Sequence, residues 1–167
     1  MSRREESAII KTVMKMTDYK ELKAQLQSLI EGVPYRIANL ANASALLWQG
    51  MEGLNWAGFY LREGDGLVLG PFQGKPACIR IPLSRGVCGA AARTLQTQRV
   101  EDVHAFPGHI ACDCASNSEI VVPILSGGEA VAVLDLDSPL FGRFTPEDQA
   151  GLEAFARVLE EAWGDMR

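Results

Sequence analysis

The segment from Glu119 to Asp137 constrains the fold more than any other. Two apolar, β-branched runs, Ile120-Val121-Val122-Pro123-Ile124 and Ala130-Val131-Ala132-Val133-Leu134, flank Ser126-Gly127-Gly128. Such runs about a glycine turn predict an antiparallel hairpin with strands over 119–125 and 129–137. Its open end is acidic. Asp135 and Asp137 share strand parity and point to one side of the sheet, while Leu134 and Leu136 point to the other. Carboxylates are costly to bury unless paired or used, and two together raise the pKa of one. A strand running out into solvent would account for the two aspartates alone. Glu119, on the adjacent strand, shifts the balance towards three converging carboxylates, a site that binds an ammonium group or delivers a proton.

The flanking sequence supplies helices and further strands. Asp18 and Glu21 have capping-box spacing, Leu22, Leu26, Leu29 and Ile30 follow at helical period, and Gly32 and Pro34 end the run. A second helix is expected over 35–49, with Ile37, Leu40, Ala41, Ser44 and Leu47 on its buried side. Strands are expected over 54–61, 67–69 and 77–82. Arg85-Gly86-Val87-Cys88-Gly89 then opens an alanine-rich helix to about Thr97, and 99–102 is a short strand or turn. The polar stretch 103–117 is too long for a simple connection and reads as a functional loop. Thr145-Pro146-Glu147-Asp148 caps a final helix reaching about Trp163. Helices at both ends of a strand meander define an α+β domain, one antiparallel sheet with helices on a face. Residues 1–16 form a frayed extension or a short added helix, and 17–165 a single domain.

Composition narrows the function. A chain of 167 residues, 47% hydrophobic, fills one core. Its net charge of -5, with signs mixed, argues against nucleic acid or a membrane surface as partner. The sequence has neither a membrane-length apolar run nor a secretory leader, so a cytoplasmic protein is expected. Four cysteines are too few for a disulfide scaffold. Paired zinc-knuckle spacing is absent, which leaves a mixed site with His104 or His109 as the metal alternative.

The remaining candidates each have two readings. Cys112 lies in the polar loop just before the hairpin, where an exposed, reactive thiol is favoured over burial. Cys78, expected on a strand, could be a small buried hydrophobe. Cys88, near a helix N-terminus, could have a lowered pKa or simply pack. Trp56 and Tyr60 share strand parity and form either ordinary core or an aromatic wall for an apolar or sulfur-bearing group. His104 and His109 read most simply as loop surface, and Gly86 and Gly89 make no nucleotide fingerprint.

Several blocks together are more specific. Gly58-Phe59-Tyr60-Leu61, Leu69-Gly70-Pro71-Phe72-Gln73-Gly74-Lys75, Arg85-Gly86-Val87-Cys88-Gly89, Val103-His104-Ala105-Phe106, His109-Ile110-Ala111-Cys112-Asp113, Ser116-Asn117-Ser118-Glu119-Ile120 and Leu134-Asp135-Leu136-Asp137-Ser138 stand in order. From about Tyr19 to Trp163 the chain resembles the free methionine-(R)-sulfoxide reductases, stand-alone GAF-domain enzymes. The resemblance implies an antiparallel sheet with the terminal helices on one face and a ligand pocket on the other. It implies reduction of free methionine-R-sulfoxide, thioredoxin as reductant, often a homodimer, and no metal or organic cofactor. By the same resemblance Cys112 is the nucleophile, Cys78 the principal resolving cysteine, and Cys88 a further redox cysteine. Trp56 and Tyr60 form the aromatic wall, and Glu119, Asp135 and Asp137 the polar side, with Asp137 or Glu119 as proton donor. Cys114 is a fourth cysteine, where the family works with three. The competing reading is a non-catalytic GAF domain that senses a small molecule or redox state.

Overall fold

Strand alternation decides which residues face the helices and which are left to build a pocket. The computed structural model describes residues 1–110 and 114–167. The hairpin is present as β5 (Ser118–Ser126) and β6 (Glu129–Ser138). Its turn glycines, Gly127 and Gly128, have φ of 61° and 83°, left-handed angles that a β-carbon disfavours. β1 (Trp56–Glu63), β2 (Gly66–Gly74), β3 (Arg80–Pro82) and β4 (Gln98–Val100) complete a sheet ordered β3-β2-β1-β6-β5-β4. Every neighbouring pair in it is antiparallel.

One face of the sheet presents Ala57, Phe59, Ile120, Val122, Ile124, Leu134 and Leu136 to α2 (Tyr19–Ile30), α3 (Arg36–Gly50) and α5 (Pro146–Ala162). These residues and the helical Leu22, Leu26, Leu40, Leu152 and Phe155 form the larger apolar cluster. The other face is covered only by α4 (Gly86–Thr94) and loops, and it encloses a smaller cluster that includes Trp56, Tyr60, Val121 and Val133. The expected α+β architecture, with helices on one face and a pocket on the other, is the one observed.

Local differences have physical causes. The buried stripe of α3 is Asn39, Leu40, Ala43, Ser44 and Leu47, whereas Ile37 is 58% exposed and Ala41 lies at the surface. The stripe rotates because the Asn39 amide can be buried: it donates to the Val33 carbonyl at 2.9 Å and meets the Met166 sulfur at 3.1 Å. Asp18 caps α2 by accepting from the Glu21 N–H, but the Glu21 carboxylate accepts from Gln25. Complete capping boxes occur at Ser2/Glu5 and Thr145/Asp148. α4 ends at Thr94, not Thr97, because Leu95 takes a left-handed φ of 59°. β3 begins at Arg80, so Cys78 sits in the link before the strand and not on it.

Residues Arg3–Val13 form α1, an 11-residue helix. Lys11 Nζ donates to the Phe141 and Gly142 carbonyls at 3.0 and 2.9 Å, and the Phe141 N–H donates to Ser7 Oγ at 3.1 Å. Arg4 pairs with Asp102 and lies over the Phe141 ring. Beneath this segment Arg143 pairs with Asp148 at 2.9 Å, both buried, and Tyr19 donates to the same carboxylate at 2.7 Å. That buried pair joins the starts of α2 and α5 and, through Arg143 Nε donating to the Glu52 carbonyl, the end of α3. Among the described residues no helix is long and apolar enough to cross a membrane.

Candidate active site

The pocket follows from strand register. Trp56 stands opposite Asp137 on β6, and Asp137 opposite Glu119 on β5. The next row on this face is Gly58, Asp135 and Val121. Two rows of an ordinary pleated sheet therefore bring an aromatic ring and three carboxylates together. All three carboxylates line one cavity with Trp56, Tyr60, Lys75, Cys88, His109 and Ser116, and it encloses about 540 Å³ counting its mouth.

The aromatic side is a stack. The Trp56 ring lies 5.8 Å from Tyr60 and 5.1 Å from Phe72, at interplanar angles of 25° and 14°. Gly58 makes the stack possible, since a β-carbon there would fall 2.3 Å from the Phe72 β-carbon across the strand pair. Trp56 Nε1 donates to the Lys75 carbonyl at 3.1 Å, and the Tyr60 hydroxyl donates to the Cys78 carbonyl at 3.0 Å. The wall thus anchors the link that carries Cys78. Cys78 is disulfide-bonded, whereas Cys88 and Cys114 are free, the first buried and the second exposed.

The polar side is buried. Glu119 and Asp135 are 6% and 5% exposed. Burial, then repulsion from Asp135 and Asp137, holds the Glu119 carboxyl well above the usual carboxylate range. Burial pushes Asp135 up to about 6, opposed by hydrogen bonds from Cys88 and Glu119. Asp135 Oδ2 accepts from Cys88 Sγ at 3.4 Å, while Oδ1 is buried without a hydrogen-bond partner. An orphaned carboxylate oxygen in a cavity is a binding site for a donor that arrives with a ligand.

Of the two readings of Cys88, packing is the one observed, and its thiol is perturbed in the opposite direction from a helix-dipole effect. Burial first, then the charges of Asp135 and Glu119, push it up, and these outweigh the N-terminus of α4. His109 is no surface residue; it lines the cavity, with Nε2 3.7 Å from Glu119 Oε2. Burial and the neighbouring His104 lower its pKa. His104 itself is exposed and bonds Asn117 Oδ1 at 2.9 Å. The sequence offers His109 as a possible metal ligand and places it in the block His109-Ile110-Ala111-Cys112-Asp113, but does not show that it faces the cavity. Ser116, which accepts from Asn55 Nδ2 at 3.0 Å, had no separate signal at all. Cys112 lies outside the described residues.

The raised Asp135 pKa has a consequence for stability. Its folded pKa of about 6 exceeds the ordinary value of 3.8, so the folded chain holds this proton more tightly than the unfolded one. Stability is therefore greatest below the lower value and falls as pH rises through the higher. Asp135→Asn removes that dependence. Urea unfolding of the ligand-free protein should show the variant gaining on the parent chain between about pH 4 and pH 7. A constant difference across this window would mean that Asp135 is not buried as a weak acid.

A thiol, three carboxylates and an aromatic stack beneath α4 on one face of a six-stranded antiparallel sheet define a small-molecule GAF domain. The GAF domain family model matches residues 25–163. The free methionine-R-sulfoxide reductase of Escherichia coli is 55% identical over 143 residues, covering 86% of this chain and 87% of that one. The enzyme of the same name from Saccharomyces cerevisiae is 43% identical over 86% of this chain and 84% of its own. The structure of fRMsr of Staphylococcus aureus in complex with substrate superposes with a TM-score of 0.85 at 49% identity, covering 89% of this chain and 97% of that one. The chain belongs to the GAF family and, within it, to the free methionine-R-sulfoxide reductases.

Proposed function

We propose that the chain reduces free methionine-R-sulfoxide to methionine in the cytoplasm, using Cys112 as nucleophile. The observation that carries this is the pairing of an aromatic stack with three carboxyl groups, Glu119 among them with a raised pKa, inside one cavity. The Trp56 and Tyr60 rings suit an S-methyl group, since sulfur and its substituents pack favourably on aromatic faces. Asp135 and Asp137 suit the substrate's ammonium. Glu119, the carboxyl most strongly held in its acid form, suits the sulfoxide oxygen, which leaves only after protonation.

The Cys112 thiolate attacks the sulfoxide sulfur as its oxygen takes up a proton; the S–O bond then breaks and the hydroxyl passes to Cys112 Sγ while the newly formed S–S bond breaks, so methionine leaves and Cys112 is a sulfenic acid. Cys78 then attacks that sulfur, expelling water and forming a disulfide. An external dithiol, for which thioredoxin is the proposed source, returns both thiols. Cys88 is a reserve thiol in this scheme: buried and protonated, it is a poor nucleophile until Asp135 accepts its proton.

Cys78→Ser tests the order of events. It should release about one equivalent of methionine per chain and then stop, with thioredoxin unable to restart it. Continued steady-state turnover would move resolution to Cys88 or Cys114. The wider reading is tested by counting thiols lost per methionine formed when reduced protein meets free methionine-R-sulfoxide. Two thiols per methionine are expected; binding without thiol loss would make the domain a sensor.

A further inference from the structure

We propose that the same cavity is a divalent transition-metal site, with zinc(II) as the fitting ion, held by Cys88, Glu119 and Asp135 with a water at the fourth position, in competition with the amino-acid substrate. Cys88 Sγ and one oxygen each of Glu119 and Asp135 lie within 4.8 Å of one another. One edge of the ligand set is already formed, Cys88 to Asp135 at 3.4 Å. Tetrahedral zinc with bonds of about 2.0–2.3 Å sets ligand-to-ligand edges of roughly 3.3–3.8 Å. A donor set of one sulfur and two carboxylate oxygens is borderline in softness, which favours zinc or cobalt over magnesium or calcium.

A second observation points to an arriving cation. Asp135 is 5% exposed, lines the cavity, and its Oδ1 atom has no hydrogen-bond partner. Binding releases the Cys88 and carboxyl protons to solvent; no electron moves. The proposed ligands do not include Cys112, so a Cys112→Ser background reads the site apart from the redox chemistry. The competition rests on the proposed substrate pocket, but the coordination does not.

The test is a cobalt(II) titration of the reduced full-length chain, read by the thiolate-to-cobalt charge-transfer band and the intense visible bands of tetrahedral cobalt. The combined variant Cys78→Ser, Cys112→Ser, Cys114→Ser should keep the charge-transfer band, and Cys88→Ser should lose it. Asp135→Asn should weaken cobalt binding roughly tenfold or more. Absence of the band in the parent chain, its survival in Cys88→Ser, or its loss from the combined variant would each overturn the metal site and leave the reductase reading intact. Free methionine-R-sulfoxide, which the combined variant cannot consume, should raise the apparent cobalt dissociation constant. If it did not, the shared pocket would fall, and with it the substrate assignment, while the metal site stood.

Discussion

Cys112→Ser should form no methionine from free methionine-R-sulfoxide, even in a single turnover with protein in excess. The attack needs a polarisable thiolate, and a serine hydroxyl is neither ionised near neutral pH nor a comparable nucleophile towards sulfur. The expected loss is about a thousandfold or more, which quench-flow with amino-acid analysis would resolve. The structure limits the substitutes. Cys88 is buried with its thiol pushed up. Cys114 is free and exposed. Normal methionine formation by Cys112→Ser would therefore point first to Cys114, and the proposed mechanism would have to be rebuilt around it.

Glu119→Gln should slow the chemical step by about 10²–10⁴, the usual range for a lost general acid. The substitution keeps the shape and hydrogen-bonding capacity of the side chain and removes only the transferable proton. Substrate affinity, measured by calorimetry in a Cys112→Ser background, should change far less than the single-turnover rate. The pH profile offers a second readout. The rate of the parent chain should fall as pH rises through the elevated Glu119 pKa, and that limb should vanish in the variant. A single-turnover rate that stayed within a few-fold of the parent would remove Glu119 from acid catalysis and favour Asp137 (a few-fold being under about 1 kcal/mol in barrier).

The sequence was most informative where periodicity and turn chemistry agreed. The central hairpin, the capped α5 helix and the terminal helices on one sheet face were all legible from Gly127-Gly128, Thr145-Pro146 and the leucines of α2. The convergence of Glu119, Asp135 and Asp137 followed from strand parity alone, because alternation fixes the face and hairpin register fixes the neighbours. What pattern could not give was tertiary satisfaction. Asn39 is buried and Ile37 exposed because a distant carbonyl and the Met166 sulfur accept the amide, a fact invisible within α3. His109 enters the cavity by the path of its loop, which no period describes. The sign of the Cys88 shift depended on weighing a helix end against two buried carboxylates, and that comparison needs distances.

The three tryptophans are distributed usefully between the two faces. Trp163 is buried on the helical side beneath the Arg36 guanidinium at 4.6 Å, and Trp48 is 37% exposed. Trp56 is the one whose indole lines the cavity, stacked between Tyr60 and Phe72 and opposite Asp137. Its emission is therefore an intrinsic optical gauge of occupancy, able to follow arrival and departure in real time without any attached dye.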